Sequence, residues 1–143
     1  MPKKVVIAGT FDIIHPGHLS FIQDAARYGD VYVIVARDST VLRIKGAPPI
    51  VPEEQRRIVV EGLKGVKQAF LGNEGSELTE KVAELRPDIV ALGPNQKFDE
   101  DKLVQKLREK GLNVQVIRIT QFLNNIPLHS SSSIKNKIKN GNT

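Results

Sequence analysis

Two of the three histidines in the chain lie three residues apart, in the segment TFDIIHPGH that follows an apolar run. The fixed backbone angle of Pro16 suits an early helical position, so we expect a helix to begin at or just after His15. The free N–H groups and the positive dipole end of a helix N-terminus favour a phosphate group. His15 and His18 would then face the same anion, and the segment predicts a phosphate-binding site.

Two other interpretations of this histidine pair are a helix cap without a ligand and a metal site. Zinc ligands do occur three residues apart, but a zinc site needs further ligands. The third histidine, His129, is distant in sequence, and the chain has no cysteine. We therefore predict no metal held by these histidines, and the ligand-free cap stays as the alternative to phosphate binding.

The elements that must position these histidines are visible as an alternation of strand-like and helix-like segments. Five short runs rich in β-branched residues begin at Lys4, Val31, Val66, Asp88 and Asn113. The first, second and fourth runs are almost entirely apolar, which is typical of parallel strands buried on both faces, whereas the third and fifth are mixed, as edge strands are. The alternation predicts an α/β fold with a Rossmann-like, doubly wound, five-stranded parallel sheet in a single domain, 1–143.

Helical segments are predicted between and after the strands, and ligands of such folds bind beyond the carboxyl ends of the strands. The predicted helices span Pro16–Tyr28, Pro52–Leu63, Ser76–Arg86, Asp99–Lys110 and Ser132–Lys139, the last being a short C-terminal helix at about 131–140. In the second helix we expect Ile58, Val59 and Leu63 to face the core. The segment 37–51 reads as a loop, either a flap that orders with ligand or a rigid loop set by its prolines.

The composition restricts the partners of the chain. A net charge of +5 favours anionic partners such as nucleotides. Aromatic residues make up only 5% of the chain and there is no Trp, which argues against a base-stacking surface, so we expect no nucleic-acid partner. No apolar run is long enough to span a membrane, the N-terminus is unlike a signal peptide, and disulfides are excluded. We therefore expect a cytoplasmic protein without membrane association.

The segment GTFDIIHPGH resembles the signature of the HIGH-motif nucleotidylyltransferases, a cytidylyltransferase-like family. Two more stretches are similar to elements of that family: ARDSTVLRIKGAPPIVPEEQRR, a basic loop with a Gln-Arg helix, and HSSSSI, a serine turn before the last helix. The resemblance covers almost the whole chain. It implies the HUP-type nucleotidylyltransferase fold and the transfer of a nucleotidyl group from a nucleoside triphosphate to a phosphate acceptor, with release of pyrophosphate.

The resemblance also implies roles for individual residues. It makes His15, His18 and Lys45 catalytic. The nucleotide-binding residues that it implies, besides the two histidines, are Gly9, Thr10, Phe11, Pro16, Gly17, Arg56, Asn95, Ser131 and Ser132. Lys45 and Arg56 could each be an ordinary surface charge, and Asp12 either orients a histidine or caps the turn. Mg²⁺, or another divalent cation, is implied because a bound triphosphate carries it, and no protein carboxylate is named as its ligand.

Within this family the chain is most similar to archaeal FAD synthetases, which adenylylate FMN. The similarity lies in VARDSTV, KGAPPIVPEEQR and ALGPNQKFDE, although Pro94 and Asn95 stand where those relatives usually have Tyr and Asp. The resemblance therefore implies transfer of AMP from ATP to FMN by a homodimer. The alternatives are a glycerol-3-phosphate cytidylyltransferase, a sugar-phosphate (heptose) adenylyltransferase and, outside enzymes, a catalytically silent nucleotide-binding protein.

Overall fold

Five short strands form one parallel sheet in the computed structural model of the chain, which describes residues 2–74, 78–93, 96, 99–119 and 131–139. The strands are β1 (Lys4–Gly9), β2 (Asp30–Val35), β3 (Val66–Leu71), β4 (Ile89–Leu92) and β5 (Gln115–Arg118). Their order in the sheet is β3-β2-β1-β4-β5, so β1 is central and β3 and β5 lie at the edges. The prediction of a five-stranded doubly wound sheet with the third and fifth strands outermost is confirmed.

Helices cover both faces of this sheet. They are α1 (Pro16–Ala26), α2 (Asp38–Lys45), α3 (Glu53–Glu61), α4 (Leu78–Leu85), α5 (Glu100–Glu109) and α6 (Ser131–Lys139). Successive residues of a strand point to opposite faces, so Val5 and Ile7 of β1 pack in one core layer with residues of α1 and α3. Val6 packs in the opposite layer with residues of α4 and α5. The central strands are therefore buried on both sides, which explains their continuous apolar sequence.

The helix α2 lies inside the segment 37–51, where the sequence predicted a loop. Val41 is the buried residue of this helix, so its apolar periodicity is too weak to indicate a helix. Gly46 ends the helix in a left-handed conformation, with φ of 79°, that favours glycine. The prediction was wrong because local periodicity does not reveal a short helix that has a single buried residue.

The residues that α3 and its end place against the core differ from the prediction at Ile58 and Val59, whereas Leu63 packs there as predicted. Ile58 and Val59 were expected to face the core, but their exposed fractions are 56% and 49%. Arg56 and Val60 are the buried residues of this helix. The error arose because a buried arginine was not considered, and the periodicity was assigned to the apolar residues alone.

Among the described residues, none of the helices combines the length and the apolar character that crossing a membrane requires.

Candidate active site

The two histidines of HPGH form the N-terminus of α1, at the carboxyl end of the central strand. His15 is the N-cap, and its Nδ1 accepts a hydrogen bond from the Gly17 N–H at 3.0 Å. The His18 Nδ1 accepts in turn from the His15 N–H at 3.2 Å, so the two side chains cap the helix reciprocally. Because each Nδ1 is an acceptor, the proton of each neutral ring is on Nε2. The cap therefore occupies Nδ1 of His18, and its Nε2–H can serve as a donor to another group.

Packing also orients the histidine rings. The ring centroids of His15 and His18 are 3.9 Å apart. The ring centroid of Phe11 lies 5.2 Å from that of His18. Phe11 is buried and has a left-handed backbone, with φ of 53°, which costs a bulky residue about 1–3 kcal/mol. A Cβ on Gly9 would lie 2.9 Å from the Phe11 ring, so glycine is needed at position 9 to admit that ring.

The electrostatic environment keeps His18 neutral. Burial, then the neighbouring His15, then the positive charge of Lys45 lower the pKa of His18 to about 4. A neutral imidazole can donate its Nε2–H to a phosphate oxygen near neutral pH. The contribution of Lys45, which is exposed at the end of α2, shows that its ammonium group lies near enough to interact with this ring. The structure thus brings His15, His18 and Lys45 into one region.

Arg56, which the sequence predicted to bind the nucleotide, lies inside the protein with an exposed fraction of 1%. Its guanidinium group donates hydrogen bonds of 2.7–2.8 Å to the carbonyl oxygens of Thr10, Ala36 and Val51 and to a carboxylate oxygen of Asp38. Thr10 follows β1 and Ala36 follows β2. Val51 precedes α3, and Asp38 is the first residue of α2. The contacts correct the expected role, because they indicate a residue that holds the loops of the site together rather than a phosphate ligand.

A second polar contact, unforeseen from the sequence, fixes the start of α2. One carboxylate oxygen of Glu53 accepts from the Asp38 N–H at 2.8 Å, and the other accepts from Arg37 at 3.1 Å. The first residue of α3 therefore supplies the cap that the residue preceding α2 does not provide. Glu53 also lies in the first turn of its own helix, where an acidic residue is favourable, so no local signal pairs it with α2.

Asp12, ambiguous from the sequence, joins three segments that are distant in the chain. Its buried carboxylate accepts from the N–H groups of Ile50 and Val51 at 2.9 and 2.8 Å, and it forms an ion pair with Lys135 of α6. Burial raises the pKa of this carboxyl, but the hydrogen bonds from Lys135, Ile50 and Val51 and the charge of Lys135 outweigh it and lower the pKa. The carboxylate is therefore ionised at neutral pH and anchors the loop before α3 and the last helix.

The loop after β4 is tied to the central strand by side chains that were not among the predicted site residues. Gln96 accepts from the Gly93 N–H at 2.8 Å and donates to the Ala8 carbonyl at 2.7 Å. Arg118, at the end of β5, donates to the carbonyl oxygens of Gly93 and Gln96 at 2.8 and 2.6 Å. Asn95, predicted to contact the nucleotide, lies outside the described residues, but Gly93 and Gln96 of the same loop are held by these hydrogen bonds.

The backbone of the first three serines of α6 forms the start of that helix. The helix α6 begins at Ser131, within the predicted 131–140, and the Lys135 contact brings it against the loop after β1. The side chains of Ser131 and Ser132 lie outside the described residues. Among the described residues there is no group of three or more His, Cys, Asp or Glu side chains that could hold a metal ion. The Mg²⁺ prediction therefore rests on the chemistry of a triphosphate and not on a metal cluster of the protein.

Comparison with known proteins identifies the family. A family model described as Cytidylyltransferase-like matches residues 6–137. A FAD synthase of Ferroglobus placidus is 50% identical over 119 residues, which cover 82% of this chain and 76% of that protein. A FAD synthase of Methanocella arvoryzae is 41% identical over 140 residues, which cover 97% of both chains.

Among solved structures, a lipopolysaccharide core biosynthesis protein from Thermoplasma volcanium superimposes with a TM-score of 0.79 at 40% identity, covering 85% of this chain and 99% of that one. The family match includes the histidine loop, the helices α2 and α3, and most of α6. The resemblance inferred from GTFDIIHPGH and its companion stretches is thereby confirmed, and the chain belongs to the cytidylyltransferase-like family.

Proposed function

We propose that the chain is an FMN adenylyltransferase, which transfers AMP from ATP to FMN and releases pyrophosphate. The observation that carries the proposal is the similarity to proteins named FAD synthase at 41–53% identity, in some cases over nearly their full length. The site supports it, because a helix N-terminus, a neutral histidine and a lysine converge where a triphosphate would bind.

In the proposed reaction an oxygen of the FMN phosphate attacks the α-phosphorus of ATP. The new P–O bond forms as the bond from the α-phosphorus to the bridging oxygen of pyrophosphate breaks, and the electron pair leaves with pyrophosphate. The attacking phosphate is already ionised at neutral pH, so no strong general base is required. Catalysis then depends on positioning and on stabilisation of the charge that develops in the transition state.

The residues of the site divide this work. The His18 Nε2–H donates to a phosphate oxygen of ATP as charge develops, and His15 holds the ring of His18 in register through its backbone N–H. Lys45 neutralises the α-phosphate and the incoming phosphate. The N–H groups at the start of α1 add the dipole of that helix. Ser131 and Ser132 contact the departing phosphates, and the loop after β4, with Asn95, binds the adenosine. When bound with ATP, Mg²⁺ would supply positive charge to the phosphate oxygens.

A second candidate function is sugar-phosphate adenylyl transfer. It is favoured by the likeness to the solved structure titled as a lipopolysaccharide core biosynthesis protein, at 40% identity. Both candidates share the attack on the α-phosphorus, and they differ in the acceptor. The predicted homodimer, the absence of a nucleic-acid partner and the cytoplasmic location stay predictions of the family resemblance and of the composition.

The test is a substrate panel that combines ATP or CTP with FMN, glycerol 3-phosphate or a heptose 1-phosphate, with pyrophosphate release as the common readout. We expect release with ATP and FMN, accompanied by FAD. Release with ATP and the heptose phosphate would favour the second candidate, and CTP with glycerol 3-phosphate would overturn adenylyl transfer. Binding of ATP without turnover of any acceptor would show a silent nucleotide-binding protein.

A matched pair of variants on α2 tests the assignment of Lys45. Lys45→Met removes the charge that influences His18, whereas Arg43→Met removes an exposed charge in the same helical turn. We expect kcat to fall about a hundredfold or more for Lys45→Met and to change little for Arg43→Met. Equal effects of the two substitutions would show that only the overall charge of the helix matters.

A further inference from the structure

The ion pair between Asp12 and Lys135 is the contact from which a further role can be inferred. The Asp12 side chain is 2% exposed, and that of Lys135 is 36% exposed. Burying a carboxylate to this extent costs free energy unless a positive charge lies beside it. The ammonium group of Lys135 provides that charge for Asp12. The pair therefore constrains α6 more strongly than a surface ion pair would.

The position of Lys135 on its helix gives the pair its consequence. Lys135 lies four residues, about one helical turn, after Ser131, where α6 begins. Fixing Lys135 at Asp12 thus fixes the start of the helix close to the loop that holds His15 and His18. Lys137 and Lys139 of the same helix are exposed, so they offer positive charge at solvent-facing positions for comparison.

Asp12 holds the other side of the site at the same time. Its two carboxylate oxygens accept from the N–H groups of Ile50 and Val51, in the segment that joins α2 to α3. Lys45 ends α2, so this segment is the continuation of the chain that carries Lys45. The buried carboxylate of Asp12 therefore connects the segment that follows Lys45, and the helix α6, to the histidine loop.

We propose that Lys135 is a positioning residue for nucleotidyl transfer, which docks α6 on Asp12 and so brings the serine turn to the triphosphate. The inference rests on the proposed function for its kinetic consequence, but the docking itself concerns only residues of this chain. In this proposal Lys135 acts through Asp12 and α6, since its ammonium group pairs with the buried carboxylate.

The test is a double-mutant cycle with Lys135→Met, Asp12→Asn and the combined variant in the full chain. The measurements are KM for ATP, kcat, and hydrogen exchange of the backbone amides of 131–139. We expect Lys135→Met to raise KM for ATP about tenfold and to speed exchange in α6, because the serine turn is no longer held. Lys135→Arg should restore most of both, and Lys137→Met, the control on the same helix, should change neither.

The cycle separates positioning from direct contact. In the Asp12→Asn background, Lys135→Met should add less than about twofold to KM, because its partner is already neutral. A full additional effect in that background would show that Lys135 binds the nucleotide itself and would overturn the proposal. Unchanged exchange of α6 in Lys135→Met would overturn it as well. If the wild-type chain formed no FAD, the exchange measurements would still decide whether the ion pair docks the helix.

Discussion

The histidine loop, residues 9–18, and the α2–α3 segment, residues 37–61, contribute to the same site but are held in different ways. In the histidine loop the capping contacts join residues two and three apart, between His15 and Gly17 and between His18 and His15. In the α2–α3 segment all but one of the side-chain hydrogen bonds of Arg56 and Glu53 join residues that lie 15–46 positions apart. The histidine caps are built locally, whereas the α2–α3 segment depends on the tertiary fold.

From this difference we expect the histidine loop to determine turnover and the contacts of the α2–α3 segment to determine stability. His15 and His18 use their Nδ1 atoms for local caps, so in the proposed function the Nε2–H of His18 is the donor to phosphate. The side chains of the α2–α3 segment that hold the loops, above all Arg56, use their donors on protein acceptors. Substitutions in the two regions should therefore have separable effects on turnover and on folding.

The largest expected effect is on stability, at Arg56. Arg56→Met leaves three carbonyl oxygens and the Asp38 carboxylate without their buried partner, and we expect the free energy of unfolding to fall by about 3–5 kcal/mol in urea titrations. The adjacent Arg57 pairs with Glu54 and Glu61 at the surface, so Arg57→Met should cost much less. Equal losses for the two neighbours would show that the buried contacts of Arg56 stabilise the α2–α3 segment no more than surface ion pairs do.

The next effect is on turnover, at His18. His18→Ala should lower kcat by roughly a hundred- to a thousandfold while the fold stays intact, because a donor to the developing charge is lost. His18→Asn keeps an acceptor near Nδ1 for the His15 N–H but lacks a donor at Nε2, so it should be as inactive as the alanine variant. His18→Gln places an amide donor near Nε2 and should recover part of kcat. Near-normal turnover of purified His18→Ala would contradict the assignment.

A smaller effect is the pH dependence of stability that His18 imposes. The pKa of His18 is lowered from 6.5 to about 4 in the folded chain, so the unfolded chain binds the extra proton first as the pH falls. Stability should therefore be complete above about pH 6.5 and decline by about 3 kcal/mol as the pH falls toward 4. In His18→Gln this part of the decline should be absent in unfolding titrations across the same window. An identical decline in the variant would show that other groups cause it.

The smallest effect tests the packing beneath the histidine loop. Gly9→Ala would place a Cβ 2.9 Å from the Phe11 ring and should destabilise the chain by about 1–2 kcal/mol, because the buried ring must shift. At Gly62 the nearest atom to an added Cβ is 3.6 Å away and the backbone is right-handed, so Gly62→Ala should be neutral or slightly stabilising. Thermal unfolding of both variants measures the difference. A Gly9→Ala variant as stable as the wild type would show that the Phe11 ring does not require glycine at position 9.

The sequence could predict the parts of the molecule that are encoded by neighbouring residues. The strand β1 was expected to begin at Lys4 and α1 at or just after His15, and the structure has both elements there. Each is marked locally, by β-branched runs or by a proline at the first helical position.

The parts that could not be predicted depend on contacts across the fold. The burial of Arg56 is possible because acceptors from three loops surround it, and no local pattern shows that. For the same reason the pairing of Asp12 with Lys135, 123 positions later, and the cap that Glu53 provides for α2 were not foreseen. The helix α2 was missed because its stability comes from these contacts and not from its own periodicity.

The most direct test of the central claim follows the α-phosphate of ATP. The account predicts that label in the α-phosphate appears in FAD, that label in the γ-phosphate appears in pyrophosphate, and that both transfers require FMN. Label that stays in ATP in the presence of FMN, or that moves instead to a sugar phosphate, would contradict adenylyl transfer to FMN by this site.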